Sequence, residues 1–271
     1  MFRWTPAPID PSVNAMLWHY VNGALPCYAS KDKRTIKFLK YTHRGVQFLD
    51  KLDFPRKQKR YIFSPRFEIR YDTAFEEVLK GCASLEREGV TWISPELYQG
   101  YLNLHKAGFA HSYECWENNV LVGGAFGIHI GGFVSCESMF HRVSNASKAA
   151  WGQTCLHLQK RGFKWADTNC VASHQVNYGE EWVPQWKFEQ LVDEEITRKV
   201  PFLDNAPTPD LPKAIKLRLP LGRLQQKLYN RLPISVLKPQ PAPTPVSDPP
   251  AQQSAAQSPE VEAPAAPVEV R

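Results

Sequence analysis

Apolar residues follow a helical spacing in two segments of the first half of the chain. In residues 73–84 they recur at steps of three and four, which predicts a helix with Thr73 as its N-cap. The pair Ser94-Pro95 predicts the start of a second helix, because serine favours the N-cap and proline is tolerated in the first turn. Gly108 is expected to end that helix.

From residue 111 the pattern changes to an alternation of polar and apolar positions. Turns at Asn118-Asn119 and Gly131-Gly132 divide residues 111–140 into three segments, which predicts an antiparallel three-stranded meander. The remaining elements are a helix, a short strand and a further helix, predicted over 145–162, over 163–168 and from Pro184 onwards. This order predicts an α+β fold, a mixed sheet with helices packed on it.

Charge and proline content divide the chain into unlike parts. Residues 239–271 hold nine of the 23 prolines, four acidic residues and one arginine, a net charge of −3, while 32 basic and 23 acidic residues give the remainder +9. The segment has no aromatic residue, so we predict a disordered Pro/Ala-rich tail. Before it we predict a small N-terminal α/β domain (1–65), the main α+β domain (66–205) and a basic amphipathic extension (206–238).

Several protein classes are excluded by the composition. No uncharged apolar run approaches the roughly 18–20 residues that span a bilayer, and the first residues lack a secretion signal. The six cysteines form no C-x-x-C pair, which indicates reduced thiols rather than disulfides or a zinc site. We therefore expect a cytoplasmic protein with no membrane partner and no bound metal.

Three features are candidates for chemistry. Asp167 follows an apolar stretch at the end of a short strand, where a carboxylate is either a structural cap or a site group. Glu137 and Ser138 interrupt an apolar strand, and a buried glutamate needs a partner, so the pair is structural, a ligand contact, or both. The basic run Arg56, Lys57, Lys59 and Arg60 suits either a solvated face or a polyphosphate surface.

Several longer motifs, in order, resemble one family. The first motif consists of Gly81-Cys82-Ala83-Ser84 and Glu86 to Ile93, which resemble the family pattern G-C-A-x-R-E-x-x-T-W-I. The likeness continues in Tyr101 to Trp116, Leu121 to Gly124, Phe126-Gly127, Glu137 to Phe140 and Asn145 to Lys148, with weaker matches at Gly23 to Pro26 and Arg44. On these residues the chain resembles the leucyl/phenylalanyl-tRNA–protein transferases, over about residues 75–190.

The resemblance implies a Gcn5-related acyltransferase-like catalytic domain at 66–205. It also implies an activity: transfer of leucyl or phenylalanyl from aminoacyl-tRNA to the α-amine of proteins with N-terminal Lys or Arg, which tags them for degradation. The partners would be aminoacyl-tRNA and an acceptor N-terminus, the enzyme a monomer. No cofactor is required, because the tRNA ester is already activated and needs positioning, a proton acceptor and oxyanion stabilisation.

The family's motifs assign roles to residues of this chain. Asp167 matches the family's reactive aspartate and Asn169 stands at its glutamine position, one methylene shorter. Glu137, Ser138, Met139, Phe126 and Phe38 would form the substrate site, and Arg56, Lys57, Lys59 and Arg60 would bind tRNA.

The chain departs from the family at several places, of which three bear on the site. Asn169 replaces glutamine, Phe38-Leu39 replaces a double tryptophan, and Gln185 replaces an arginine after Pro184. These changes leave two alternatives: a catalytically weak adaptor that binds charged tRNA or basic N-termini, and a transferase with a small-molecule or lipid acceptor.

Overall fold

The computed structural model describes residues 12–28, 36–84, 91–169, 178–204, 206–213 and 215. The predicted tail (239–271), most of the predicted extension and the motif residues 86–90 lie outside the described residues. None of the described helices is long and apolar enough to cross a membrane.

The described residues form an α+β architecture, as the sequence pattern predicts. The helices are α1 (Val13–Val21), α2 (Arg56–Ile62), α3 (Phe75–Ala83), α4 (Pro95–Lys106), α5 (Ala146–Arg161) and α6 (Gln185–Glu195), with a 3₁₀ turn at Leu49–Lys51. The strands are β1 (Leu25–Tyr28), β2 (Ile36–Leu39), β3 (His43–Phe48), β4 (Glu68–Tyr71), β5 (Ala110–Glu117), β6 (Val120–Ile130), β7 (Phe133–His141), β8 (Trp165–Asn169) and β9 (Glu180–Pro184).

Seven of these strands form one mixed sheet in the order β4-β5-β6-β7-β8-β3-β9. The predicted meander is its centre: β5, β6 and β7 pair antiparallel through turns at Asn118-Asn119 and Gly131-Gly132. Among the described strands of this sheet, β7 and β8 are the one parallel pair. The strands β1 and β2 form a separate antiparallel hairpin.

Helices cover both faces of the sheet. On one face, side chains of α1, α3, α4 and α6 share a core with Phe126, Ile128 and Trp165. On the other face, α5 packs through Trp151 and Cys155 against alternate residues of the same strands, such as Ala125 and Ala166. The short helix α2 packs on α5. Burial of both faces explains why the central strands are apolar at nearly every position.

Glycines permit two close approaches within this packing. A side chain at Gly127 of β6 would collide with the Tyr113 hydroxyl and the Ser135 carbonyl. A Cβ at Gly81 of α3 would lie 2.7 Å from the Phe140 ring. Both glycines belong to the motifs quoted above, so these motif positions serve packing.

The start of α3 differs from the prediction. The helix begins at Phe75 with Ala74 as N-cap, not with Thr73. The buried carboxylate of Glu114 accepts hydrogen bonds from the Thr73 and Ala74 backbone N–H groups, at 2.8 and 2.7 Å, and from the Thr73 hydroxyl. A residue of β5 therefore supplies the cap that sequence reasoning assigned to Thr73.

The predicted boundary after residue 65 needs correction. The strand β3, which precedes it, lies inside the seven-stranded sheet between β8 and β9. Its buried residues Arg44, Val46 and Gln47 belong to the same interior as β8. Residues 43–48 are therefore part of the sheet that was predicted to begin at residue 66.

Candidate active site

The parallel neighbours β7 and β8 pair at one position, Ser135 opposite Asp167. Just beyond it both strands change from buried to half-buried, at residues 137–139 and 168–169. Each strand also has an irregular register there. Phe126 lies opposite Ser138 and Gly127 opposite Cys136, so Glu137 is an extra, bulged residue. Thr168 is bulged in the same way against β3. The ends of β7 and β8 beyond this pair, here called the cleft, thus carry polar residues that bulges re-aim.

A buried ion pair between Arg44 and Asp167 belongs to this site. Arg44 of β3 and Asp167 of β8 are 1% and 0% exposed, and the guanidinium contacts both carboxylate oxygens. The guanidinium also lies 4.6 Å from the centre of the Phe188 ring, and its Nη1 donates to the Gly23 carbonyl. Such a pair tolerates burial because each charge has its partner and further hydrogen bonds.

Asn169 connects the ion pair to β7. Its Oδ1 accepts a hydrogen bond from Arg44 Nη2 at 2.9 Å, and its Nδ2 donates to the Cys136 carbonyl at 2.8 Å. Its backbone N–H donates to Asp167 Oδ1 at 2.9 Å. The residue has a positive φ of 66°, a conformation that asparagine tolerates better than most residues. Both polar groups of the Asn169 side chain therefore bind protein atoms.

Glu137 is the other carboxyl of the cleft. Its Oε2 accepts from the Tyr101 hydroxyl at 3.1 Å and its Oε1 from the Ser135 hydroxyl at 2.6 Å. The Tyr20 hydroxyl lies 3.3 Å from that of Tyr101. Burial raises the pKa of Glu137 to about 7, the nearby Asp167 adds to the rise, and hydrogen bonds from Ser135, Tyr20 and Tyr101 oppose it. This carboxyl exchanges a proton near neutral pH.

The described thiols are unsuited to covalent catalysis. Burial raises the pKa of Cys82 and Cys115 to about 12, and it raises those of Cys136 and Cys155 as well. A thiol is nucleophilic as the thiolate, so these side chains are inert at neutral pH. Within the described ranges, no group of three or more His, Cys, Asp and Glu residues could hold a metal ion.

The structure brings three predicted site residues together and disperses others. Asp167, Asn169 and Glu137 share the cleft. Phe126 is fully buried behind Tyr101, at 4.8 Å between ring centres, so it forms core rather than an open pocket. Met139 packs with the cluster on the α5 face.

The other predicted substrate residues, Phe38 and Ser138, have protein partners. Phe38 stacks on His19 at 3.6 Å between ring centres, within the core that α1 and the hairpin share. Ser138 is half-buried next to Glu137 and forms a hydrogen bond with Cys82. Ser138 therefore borders the cleft, whereas Phe38 supports α1.

The predicted tRNA-binding residues lie on α2. Arg56, Lys57, Lys59 and Arg60 are exposed, and the helix is anchored by Ile62, which packs into the α5 side. Asp167 follows Trp165 at an alternate position of β8, and its partner Arg44, which also binds Asn169, lies on Phe188 of α6. These residues therefore belong to the face that α1, α4 and α6 cover. The basic cluster and the cleft are thus on opposite faces of the sheet.

Gln185, which stands where the family has an arginine, shares its partner Glu189 with a lysine. Gln185 Nε2 donates to the Gly23 carbonyl at 2.9 Å and to Glu189 Oε1 at 3.0 Å. Lys40 Nζ donates to the same Glu189 oxygen at 2.8 Å. Lys40, which directly follows β2, thus neutralises Glu189 of α6.

Sequence reasoning missed Tyr20 and Ser135 as members of the site. Tyr101 and Arg44 were within quoted motifs, which was a usable signal. Ser135 lies two residues before Glu137, so the two side chains share one face of β7 despite the bulge. Tyr20 had no such signal, because the spacing of α1 shows a buried position and not its partner.

A separate small pocket lies elsewhere on the molecule. Its lining includes His111, His129, Phe202 and residues 206–209, and none of the cleft residues. His111 is paired with Asp72 at 2.6 Å, and His129 with the Tyr113 hydroxyl at 2.7 Å. This pocket does not belong to the candidate site.

Comparison with known proteins gives one consistent result. Residues 46–193 match the family described as Leucyl/phenylalanyl-tRNA protein transferase. A protein of that name from Aromatoleum aromaticum is 40% identical over 174 residues, 64% of this chain and 73% of the relative. Another from Gloeobacter violaceus is 38% identical over 175 residues, 65% of this chain and 89% of the relative.

Among solved structures, the crystal structure of FemX aligns with 64% of each chain at 11% identity and a TM-score of 0.40, which carries no inference about function. The family match alone spans more than half of the chain, from β3 to α6. The chain therefore belongs to the leucyl/phenylalanyl-tRNA protein transferase family and is an aminoacyltransferase.

Proposed function

We propose that this enzyme transfers leucyl or phenylalanyl from aminoacyl-tRNA to the α-amine of cytoplasmic proteins with N-terminal Lys or Arg, and so marks them for degradation. The observation that supports it is the cleft between β7 and β8 inside the matched region. There a carboxyl with a pKa of about 7 lies beside a rigid ion pair. Transfer from an activated ester needs oriented reactants and a proton acceptor.

Asp167 and Asn169 are proposed to orient this reaction. Asp167 fixes Arg44, and Asn169 holds both the guanidinium and the Cys136 carbonyl of β7. The two residues keep the strands at a fixed separation, which sets the width of the cleft. Because misplacement by about 1 Å can lower a rate about 10²-fold, such residues matter without touching substrate.

The basic residues of α2 are proposed to bind tRNA phosphates away from the reacting ester. Arg56, Lys57, Lys59 and Arg60 are exposed on one short helix, so they suit a backbone contact rather than base recognition. Substituting all four by alanine should flatten the dependence of log K on log salt by about 0.7–0.9 for each phosphate that is no longer neutralised. A control variant is Lys80→Ala, since Lys80 pairs with Glu76 on the surface. An unchanged slope in the quadruple variant would exclude α2.

The test of the activity is direct transfer. Purified protein is mixed with radiolabelled Leu-tRNA or Phe-tRNA and peptides that begin with Lys, Arg or, as the control, Ala. We expect label on the Lys and Arg peptides and none on the Ala peptide. The absence of transfer to any peptide would overturn the proposal.

The second candidate is the adaptor, which binds charged tRNA without transfer. The observation in its favour is that Asn169 Oδ1 and Nδ2 each already bind a protein atom, so the side chain has fewer free hydrogen-bonding positions for substrate. Retained tRNA binding together with no transfer, in the same assay, would favour it. An Asn169→Gln variant that gained transfer would favour it further.

A further inference from the structure

The two carboxyl groups of the cleft differ in their capacity to accept a proton. An ionised carboxylate has about four acceptor positions. Three of those of Asp167 are filled by Arg44 Nε and Nη2 and the Asn169 backbone N–H, so each oxygen already accepts a hydrogen bond. The Ser135 hydroxyl, at 3.3 Å, fills the fourth only when it does not donate to Glu137. Asp167 is also fully buried. An incoming amine therefore finds no free oxygen on the residue that the family's motif singles out.

Glu137 is in the opposite situation. It is half-buried, it is the bulged residue of β7, and no cation contacts its carboxyl among the described residues. Its hydrogen bonds come from the neutral hydroxyl groups of Ser135, Tyr101 and Tyr20. Neutral donors hold a carboxylate in place without suppressing its basicity as an arginine does.

We propose that Glu137 is the catalytic residue that takes the proton from the attacking α-amine, and that Ser135, Tyr101 and Tyr20 are positioning residues for its carboxyl. This inference rests on the proposed transfer activity and deepens it. Tyr20 extends the site to α1, which lies outside the matched residues 46–193.

The protons of the step balance within the cleft. The neutral α-amine attacks the ester carbonyl carbon, and the new C–N bond gives a tetrahedral intermediate. The amine proton passes to Glu137. The bond from that carbon to the ribose oxygen then breaks, and Glu137 returns the proton to this leaving oxygen. The carboxylate is regenerated, and neither a metal ion nor a covalent intermediate is needed.

Ser135 links the two carboxyls during this cycle. Its single hydroxyl proton lies between Glu137 Oε1 at 2.6 Å and Asp167 Oδ2 at 3.3 Å. While Glu137 is ionised, the hydroxyl donates to it. When Glu137 is protonated, its O–H can donate to Ser135 Oγ and the Ser135 proton turns towards Asp167. The hydroxyl thus stabilises Glu137 while Glu137 is ionised and Asp167 while Glu137 is protonated.

The groups that face Glu137 set the pH at which it works. They are Ser135 and Cys136 of β7, Tyr20 of α1, Tyr101 of α4 and Asp167 of β8, the last neutralised by Arg44 of β3. Its pKa of about 7 is close to the optimum for a proton acceptor at neutral pH. The rate should therefore rise with pH through about 7, as Glu137 ionises.

The experiment measures kcat/KM of the full chain against pH, with Phe-tRNA and a peptide that begins with Arg. Glu137→Gln should lower kcat/KM by about 10²–10⁴-fold at pH 8 and leave the Kd for Phe-tRNA within about threefold. Tyr101→Phe and Tyr20→Phe should each raise the midpoint of the profile by about 0.5–1 pH unit, since one hydrogen bond to the ionised form is removed. Tyr98→Phe is the matched control on α4, with its hydroxyl on surface residue Glu76.

The outcomes distinguish a failure of the role of Glu137 from a failure of the transfer activity. If the unaltered enzyme transfers and Glu137→Gln keeps its rate within about fivefold, Glu137 is not the proton acceptor, and the transfer activity stands. If the unaltered enzyme does not transfer, the proposed function and this role both fail. If Glu137→Gln does not fold, judged by circular dichroism, the tyrosine variants decide: unshifted midpoints overturn the assignment.

Discussion

The buried pair of Arg44 and Asp167 gives the strongest test of how the cleft is held together. In Arg44→Met, the carboxylate of Asp167 remains 0% exposed but loses its cation and both hydrogen bonds from the guanidinium. Asn169 Oδ1 and the Gly23 carbonyl lose a donor as well. Removing one partner of a buried ion pair costs about 3–5 kcal/mol of unfolding free energy. At about 2–4 °C per kcal/mol for a chain of this size, the melting temperature should fall by roughly 6–20 °C.

The assay is a double-mutant cycle, with urea denaturation of Arg44→Met, Asp167→Asn and the double variant at pH 7. Asp167→Asn should be similarly destabilising, because it leaves a guanidinium 1% exposed without its counter-charge. The double variant contains neither charge and should lose at least about 2 kcal/mol less than the two single losses together. Lys51→Met and Glu181→Gln, at an exposed pair, form the control cycle, with a coupling below about 1 kcal/mol.

Additive losses in the Arg44 and Asp167 cycle would refute this reasoning. They would mean that solvent reaches the pair and that each charge is independently hydrated. The cleft would then be wider and less rigid than the hydrogen bonds of Asn169 indicate, and the orienting role of Asp167 would fail with it.

Three further outcomes are expected from the same hydrogen bonds and from burial. Glu114→Gln should lower the unfolding free energy, measured in urea, by about 2–4 kcal/mol, because two backbone N–H groups at the start of α3 lose a carboxylate acceptor. The control Glu117→Gln, on the surface, should change it by less than about 1 kcal/mol. Asn169→Gln should reduce kcat/KM at least about tenfold, because glutamine suits a positive φ less well; equal or higher activity would contradict this. Burial lowers the pKa of His19 from 6.5 to about 4. Between these pH values the unfolded chain binds more protons than the folded chain, so stability decreases as the pH is lowered. His19→Phe should remove up to about 3 kcal/mol of this pH dependence, measured by denaturation at pH 4 and at pH 7.

The meander, α4 and α5 could be predicted because their signals are local. Ser94 accepts from the Leu97 N–H at 3.3 Å as its position predicts, and Gly162 ends α5 at φ 91°. The strand β3 has no such signal. Its buried positions include the polar residues Arg44 and Gln47. Polar residues in a strand are normally expected to face solvent, so the pattern does not predict a strand in the interior here. What makes it a strand is its pairing with β8 and β9, more than 110 residues away.

Only part of the site could be predicted from the sequence, because the rest depends on contacts between residues far apart in the chain. Glu137 and Asp167 stand out as carboxylates in apolar strands, because burial of a charge requires a partner. The pattern does not identify the partners, which come from α1, α4 and β3 as well as from β7 and β8. It also does not show the bulge at Glu137, since an extra residue is defined by the register of the opposing strand. For the apolar candidates Phe126 and Met139, which pack with core clusters, the pattern does not distinguish core from pocket.

Asn169 shows why a one-residue departure has to be interpreted with its backbone. Measured along an ordinary strand, asparagine reaches about 1.2–1.5 Å less than glutamine, an amount that predicts a broken hydrogen bond. Here β8 bulges at Thr168 and the next residue turns to φ 66°. The shorter side chain still reaches Arg44 at 2.9 Å and the Cys136 carbonyl at 2.8 Å. Asparagine is the residue that best combines an amide with this conformation. The departure is therefore matched by the local geometry, which argues for a retained active site and against the adaptor.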